Sequence, residues 1–152
     1  MCNAEEYLGR IELLDSQIND RWEDLQRLYS MRTKMTTIFS MAPAHGSGSK
    51  SNVEDLTIKI MQMEVELNRK IDAFIDYKAE VMNLLEQLND AKQSKLLHKI
   101  YFDYMDIEDL AYEMGKCTKT IEKRRDEALQ KVAVLLLHRK EAGGEIAVNK
   151  DG

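Results

Sequence analysis

Residues 106–132, DIEDLAYEMGKCTKTIEKRRDEALQKV, decide how this chain is read, because they divide at a glycine into two helical stretches and reserve the basic residues for the second. Ile107, Leu110, Ala111 and Met114 fall at i, i+3, i+4 and i+7, the spacing of one helical face. Glu108, Asp109 and Glu113 lie off that face. Ala111 is small where a second helix has to cross closely, and Gly115 stands where the first must stop in a left-handed backbone conformation. Cys117 or Thr118 can cap the next helix, and Ile121, Ala128, Leu129 and Val132 carry its apolar face. Lys116, Lys119, Lys123, Arg124, Arg125 and Lys131 are left to point outward. This is the layout of a helix-turn-helix that reads DNA. The competing reading is a plain helical hairpin whose lysines form a solvated face.

Charge is distributed unevenly along the chain. Residues 116–131 hold six Lys and Arg against three acidic residues, net +3, whereas residues 1–115 hold 13 against 21, net −8. Phosphate affinity depends on local charge, so an overall balance of −5 and a pI near 5.3 do not oppose DNA binding by that segment. They do argue against a non-specific nucleic-acid coat.

The motif IEDLAYEMG…TIEKRRDEALQKV resembles the C-terminal promoter-reading domain of bacterial sigma factors. That pattern has an apolar-acidic start, an alanine, a glycine, a polar cap and a helix ending in Ala-Leu-x-Lys followed by Leu or Val. Ala128, Leu129, Lys131 and Val132 carry the ending here. With a long N-terminal helix, a TKMT…FSMAP break and a second long helix upstream, the chain resembles small sigma-like transcription regulators encoded by phages and prophages of Gram-positive bacteria. The likeness runs from about Glu6 to Leu137. It implies a regulator that binds double-stranded DNA at a promoter or phage site, and it leaves open contact with RNA polymerase. Two positions depart from the pattern. Arg124 stands three residues after Ile121, where an apolar residue is usual, so its stem packs while its head snorkels, or the helix is rotated. Cys117 replaces the usual Ser or Thr cap.

With 152 residues, 43% hydrophobic and 32% charged, one proline and no sustained alternation of period two, the sequence reads as all-α. In residues 4–40, Ile11, Ile18 and Leu25 recur every seven, with Leu14, Leu28 and Met35 between the repeats and Trp22 and Tyr29 widening the stripe. Residues 41–52, MAPAHGSGSKSN, read as a mobile linker. From Val53 to about Asn89 a second seam repeats through Ile60, Leu67, Phe74, Val81 and Leu88, with Leu56, Met63, Tyr77 and Leu84 between. Two such stripes bury each other as a long antiparallel, coiled-coil-like hairpin over residues 4–89. Ile71, Ile75 and Leu85 flank the seam and are left to dock the next segment or to form a dimer contact.

After a break at NDAKQS (89–94), Leu96, Leu97, Ile100, Tyr101 and Tyr104 begin a helix that completes a DNA-binding domain over residues 93–140. Residues 141–152 carry Gly143 and Gly144, lose periodicity and read as a flexible tail.

The expected function is therefore a sequence-specific DNA-binding transcription regulator. Thr118, Lys119, Glu122 and Lys123 are expected at base edges and Thr120, Arg124 and Arg125 at phosphates. One helix in one groove rarely gives enough affinity alone, so a homodimer or a polymerase-assisted complex is expected. The alternative is an interaction module that grips RNA polymerase or a phage protein without reading DNA.

No glycine-rich phosphate loop, nucleophile elbow or clustered acid-base pair is present, so the chain is not expected to be an enzyme. Cys2 and Cys117 are far apart, and His45, His98 and His138 are scattered, so neither a metal nor another cofactor is expected. No run approaches a membrane span and MCNAEEYLGR lacks a signal peptide's basic start, which predicts a cytoplasmic protein.

Overall fold

Apolar residues at helical spacing and a near-absence of proline leave this chain one way to bury itself, and the computed structural model, which describes residues 3–41 and 47–150, is all-α. The elements are α1 (Ala4–Met41), α2 (Ser47–Glu86), α3 (Ala91–Tyr101), α4 (Ile107–Met114) and α5 (Thr118–Lys150). No strand occurs among the described residues.

The chain forms two compact units, Leu14–Ile75, and Met1–Leu13 with Asp76–Gly152. Their limits fall inside α1 and α2, whereas the sequence placed a boundary near residues 89–93, where a turn separates α2 from α3.

Unit Leu14–Ile75 consists of stretches of two helices. Leu25, Leu56, Ile60 and Leu67 form its buried cluster, and Ile18, Leu28, Tyr29, Met35, Met63 and Ile71 pack on it. All but Ile71 belong to the two stripes read from the sequence. Trp22 departs from the stripe assigned to it and stands 52% exposed. Ile75 is likewise exposed, whereas Ile71 joins the cluster. The threonine-rich end of α1 stays helical because the hydroxyls of Thr33, Thr36 and Thr37 donate to the carbonyls four residues back.

The linker assigned to residues 41–52 is shorter than expected. Met41 belongs to α1 and residues 47–52 to α2, and the proline lies outside the described residues. Small polar residues oppose nucleation far more than extension, so a helix started by the seam from Val53 onward can run back through Asn52 and the serines.

In the other unit, Leu8, Ile11, Val81, Leu84, Leu85, Leu97, Ala128 and Val132 are all at most 2% exposed. Leu85, left outside the seam by the sequence, is thus core. Tyr77 Oη donates to the backbone carbonyl of Tyr7 at 2.6 Å, and Arg139 on α5 reaches Glu80 at 3.0 Å, so α1, α2 and α5 are tied by polar contacts at one place. Every buried side chain among the described residues is apolar.

α2 stops at Glu86, earlier than Asn89, because Asn89 turns into the left-handed region at φ 54° and Asp90 starts α3. The Asp90 carboxylate accepts from the N–H groups of Lys92 and Gln93 at 3.0 and 3.1 Å, an N-cap that opens α3 inside the stretch read as a break. Tyr104 falls outside that helix and has φ 56°. At the far end, α5 continues through Gly143 and Gly144 to Lys150, so most of the segment read as a tail is helical. Adding a residue to an existing helix costs little, and Ala142, Glu145, Ile146 and Ala147 are compatible with it.

Candidate nucleic-acid interface

α4 ends as its sequence requires. Gly115 adopts φ 63°, ψ 34°, and two backbone bonds close the helix, Gly115 N–H to the Tyr112 carbonyl at 3.3 Å and Lys116 N–H to the Ala111 carbonyl at 2.9 Å. This double closure is the Schellman arrangement, which needs a left-handed residue after the last helical one. A Cβ at position 115 would touch nothing within 4 Å, so the backbone angle, and not space, selects glycine.

Three residues later α5 begins. The Cys117 carbonyl accepts from Thr120 and Ile121 N–H, and Cys117 Sγ lies 3.0 Å from Thr120 Oγ1. Hydrogen bonds to the sulfur, first from the Thr120 hydroxyl and then from the Thr120 backbone, hold the exposed Cys117 thiol below its ordinary pKa. α4 and α3 both pack on α5. Their common cluster is Leu96, Leu110, Ala111 and Ile121, with Ile100, Met105 and Ile107 against it. Ala111, 6% exposed, is small where it belongs. Lys99 Nζ donates to Glu113 Oε1 at 2.7 Å and ties α3 to α4.

The core face of α5 runs through Ile121, Ala128 and Val132, all buried, with Arg125 and Leu129 at its margins. Thr118, Lys119, Glu122, Lys123 and Arg124 are exposed and Thr120 is half-buried. The apolar phase of α5 is thus set so that Arg125, and not Arg124, lies against the core margin. The Arg125 guanidinium is engaged by the Asp126 carboxylate at 3.2 Å, while Arg124 projects freely. Lys116 and Lys131 are also exposed. Lys119 and Lys123, four apart on one side of the first turns of α5, have no acidic partner among the described residues.

Two features were missed by sequence reasoning. Tyr112 is 91% exposed on α4, and the signal was its position off the apolar stripe 107, 110, 111, 114. Met114, assigned to the buried face, is 40% exposed because it is the last helical residue and lies at the mouth of a groove between α3, α4 and α5. Among the described residues no group of three His, Cys, Asp or Glu side chains is arranged to hold a metal ion.

These features define an all-α chain with a glycine-terminated helix packed on a longer, basic-tipped one. A family profile described as a protein of unknown function, DUF1492, matches residues 34–133, and the chain belongs to that family. The matched span contains α2, α3, α4 and the first half of α5. Neither a curated protein nor a solved structure matches the chain. No described helix is long and apolar enough to cross a membrane.

Proposed function

We propose that this protein is a sequence-specific, sigma-like DNA-binding transcription regulator of the phage and prophage type, in which α4, the turn at Gly115 and α5 act as a helix-turn-helix. The observation that carries this reading is the exposure of Lys119 and Lys123 on the first turns of α5 while Ile121, between them, is wholly buried against α3 and α4. A helix held by one face on two others presents its opposite face to a groove of the duplex. Thr118, Lys119, Glu122 and Lys123 then meet base edges, where Glu122 can accept from a cytosine amino group. Thr120 and Arg124 meet phosphates, as does Arg125 once it leaves Asp126.

On this reading α1 and α2 pair as an antiparallel hairpin. In unit Leu14–Ile75, Arg21 pairs with Glu66 and Tyr29 bonds to Glu64, so partner numbers rise along α1 as they fall along α2. A second copy of the chain supplies the second half-site that a single recognition helix lacks.

The test is a gel shift on promoter fragments of the host replicon with wild type and the Lys119→Ala/Lys123→Ala variant. Wild type retards a subset of fragments and the variant does not; equal retardation of every fragment by both proteins contradicts the reading.

A second reading, an interaction module that binds RNA polymerase or a phage protein without reading DNA, draws on the apolar side chains exposed in Leu14–Ile75, among them Trp22, Ile58, Met61 and Val65. Recovery of polymerase from lysate by a protein that shifts no DNA selects this alternative.

A further inference from the structure

Between the start of α3, the end of α4 and one flank of α5 lies a groove of about 760 Å³ whose lining the proposed DNA contacts do not explain. Its charges are unbalanced once the pairs are removed. Asp90 is occupied in capping α3 and Glu113 holds Lys99. With the Lys99–Glu113 pair removed, Lys92, Lys95, Lys116 and Arg124, all exposed and without a carboxylate partner among the described residues, stand against the carboxylates of Asp90 and Glu127.

The groove also offers something phosphate cannot use. The exposed Met114 contributes apolar surface, with the buried Leu96 behind it in the wall. The Gln93 carbonyl oxygen Oε1, in the groove wall, is shut off from solvent and lacks a hydrogen-bond partner among the described residues. An unmatched buried acceptor is costly, and its terminal torsion is soft enough to bring the oxygen to a donor entering the groove. Phosphate oxygens accept and do not donate, and a duplex is a convex rod that does not fill a concave groove. A peptide backbone brings N–H donors, and acidic side chains bring the matching charge.

We infer that the α3–α4–α5 groove is a docking site for an acidic peptide segment of a partner protein. Carboxylates pair with Lys92, Lys95, Lys116 and Arg124, an apolar side chain rests on Met114, and a backbone N–H donates to Gln93. Arg124 is the one groove residue shared with the proposed DNA contacts, so the site does not depend on DNA binding.

The probe is a fluorescein-labelled dodecapeptide of repeated Glu-Asp-Leu, read by anisotropy against the full chain. Wild type binds it, and Lys92→Glu/Lys95→Glu weakens binding at least about tenfold, with Lys92→Gln/Lys95→Gln intermediate. The Glu variant instead gains affinity for a Lys-Arg-Leu dodecapeptide. Lys119→Ala/Lys123→Ala leaves Glu-Asp-Leu binding unchanged, and the Gln93 side-chain amide resonance shifts on titration. Circular dichroism melting checks that each variant is folded. Absence of peptide binding overturns the inference, as does equal binding by all variants or a stationary Gln93 resonance. Loss of duplex binding by the Glu variant without any peptide binding also overturns it and makes the groove a phosphate contact.

Discussion

Gly115 concentrates the cost of the turn in one torsion. Its φ of 63° is unfavourable to any residue with a Cβ, while the space around it is open. Gly115→Ala should therefore destabilise by about 1–2 kcal/mol through the backbone alone, and Gly115→Asn by less, because asparagine tolerates this region. Urea denaturation of both variants checks this, and equal stability of the alanine variant and wild type would refute it. Two residues on, Cys117 should alkylate with iodoacetamide at a lower pH than a free cysteine. The hydrogen bond from Thr120 favours the thiolate, so Thr120→Val should move the reaction profile back upward. An unmoved profile would mean that Thr120 does not set the thiol.

At the scale of elements, α5 is positioned by few side chains. Ile121 is fully buried among residues of α3 and α4, and Ile121→Ala should cost about 2–5 kcal/mol, against about 0.5–1.5 for Ile121→Val. Thermal melting separates the two. The division at Gly115, the four buried or core-margin positions of α5 and the seams of α1 and α2 were legible because apolar spacing and glycine chemistry act locally. The phase of α5 was less so. Arg124 and Arg125 differ by one helical step, and only the packing of Ile121, Ala128 and Val132 decides which lies at the margin. The first turn of α3 was hidden because residues 91–95 contain no large apolar residue, although Asp90 was the cap signal. The groove was illegible because its basic residues belong to α3, the turn after α4 and α5, which only the fold brings together.

Across the whole molecule, both compact units hold tyrosines whose phenols stay protonated beyond their ordinary range. Burial, then Glu80, raises Tyr7; the hydrogen bond to Glu64 raises Tyr29; burial raises Tyr101. A raised phenol in the folded state contributes stability that is fully present below the ordinary value of about 10 and is lost as pH rises through the folded values. Stability should thus fall in alkali, and Glu64→Gln should delay the ionisation of Tyr29 less than wild type does, read by phenolate absorbance; identical titration would contradict the role of Glu64. The start of α2 and the end of α5 were missed because glycine and serine oppose helix nucleation more than extension of an established helix, whereas the end of α2 was placed three residues too late. The site is a separate matter, since exposed lysines on a helix identify a surface and not its ligand.

The account depends on Lys119 and Lys123 delivering charge to DNA, and the direct measurement is the salt dependence of binding to a promoter fragment by wild type and Lys119→Ala/Lys123→Ala. Two cations brought into the groove add to the counterions released on binding, so the double variant should lose affinity together with part of the slope of log K against log salt. Identical slopes and affinities for the two proteins would contradict it.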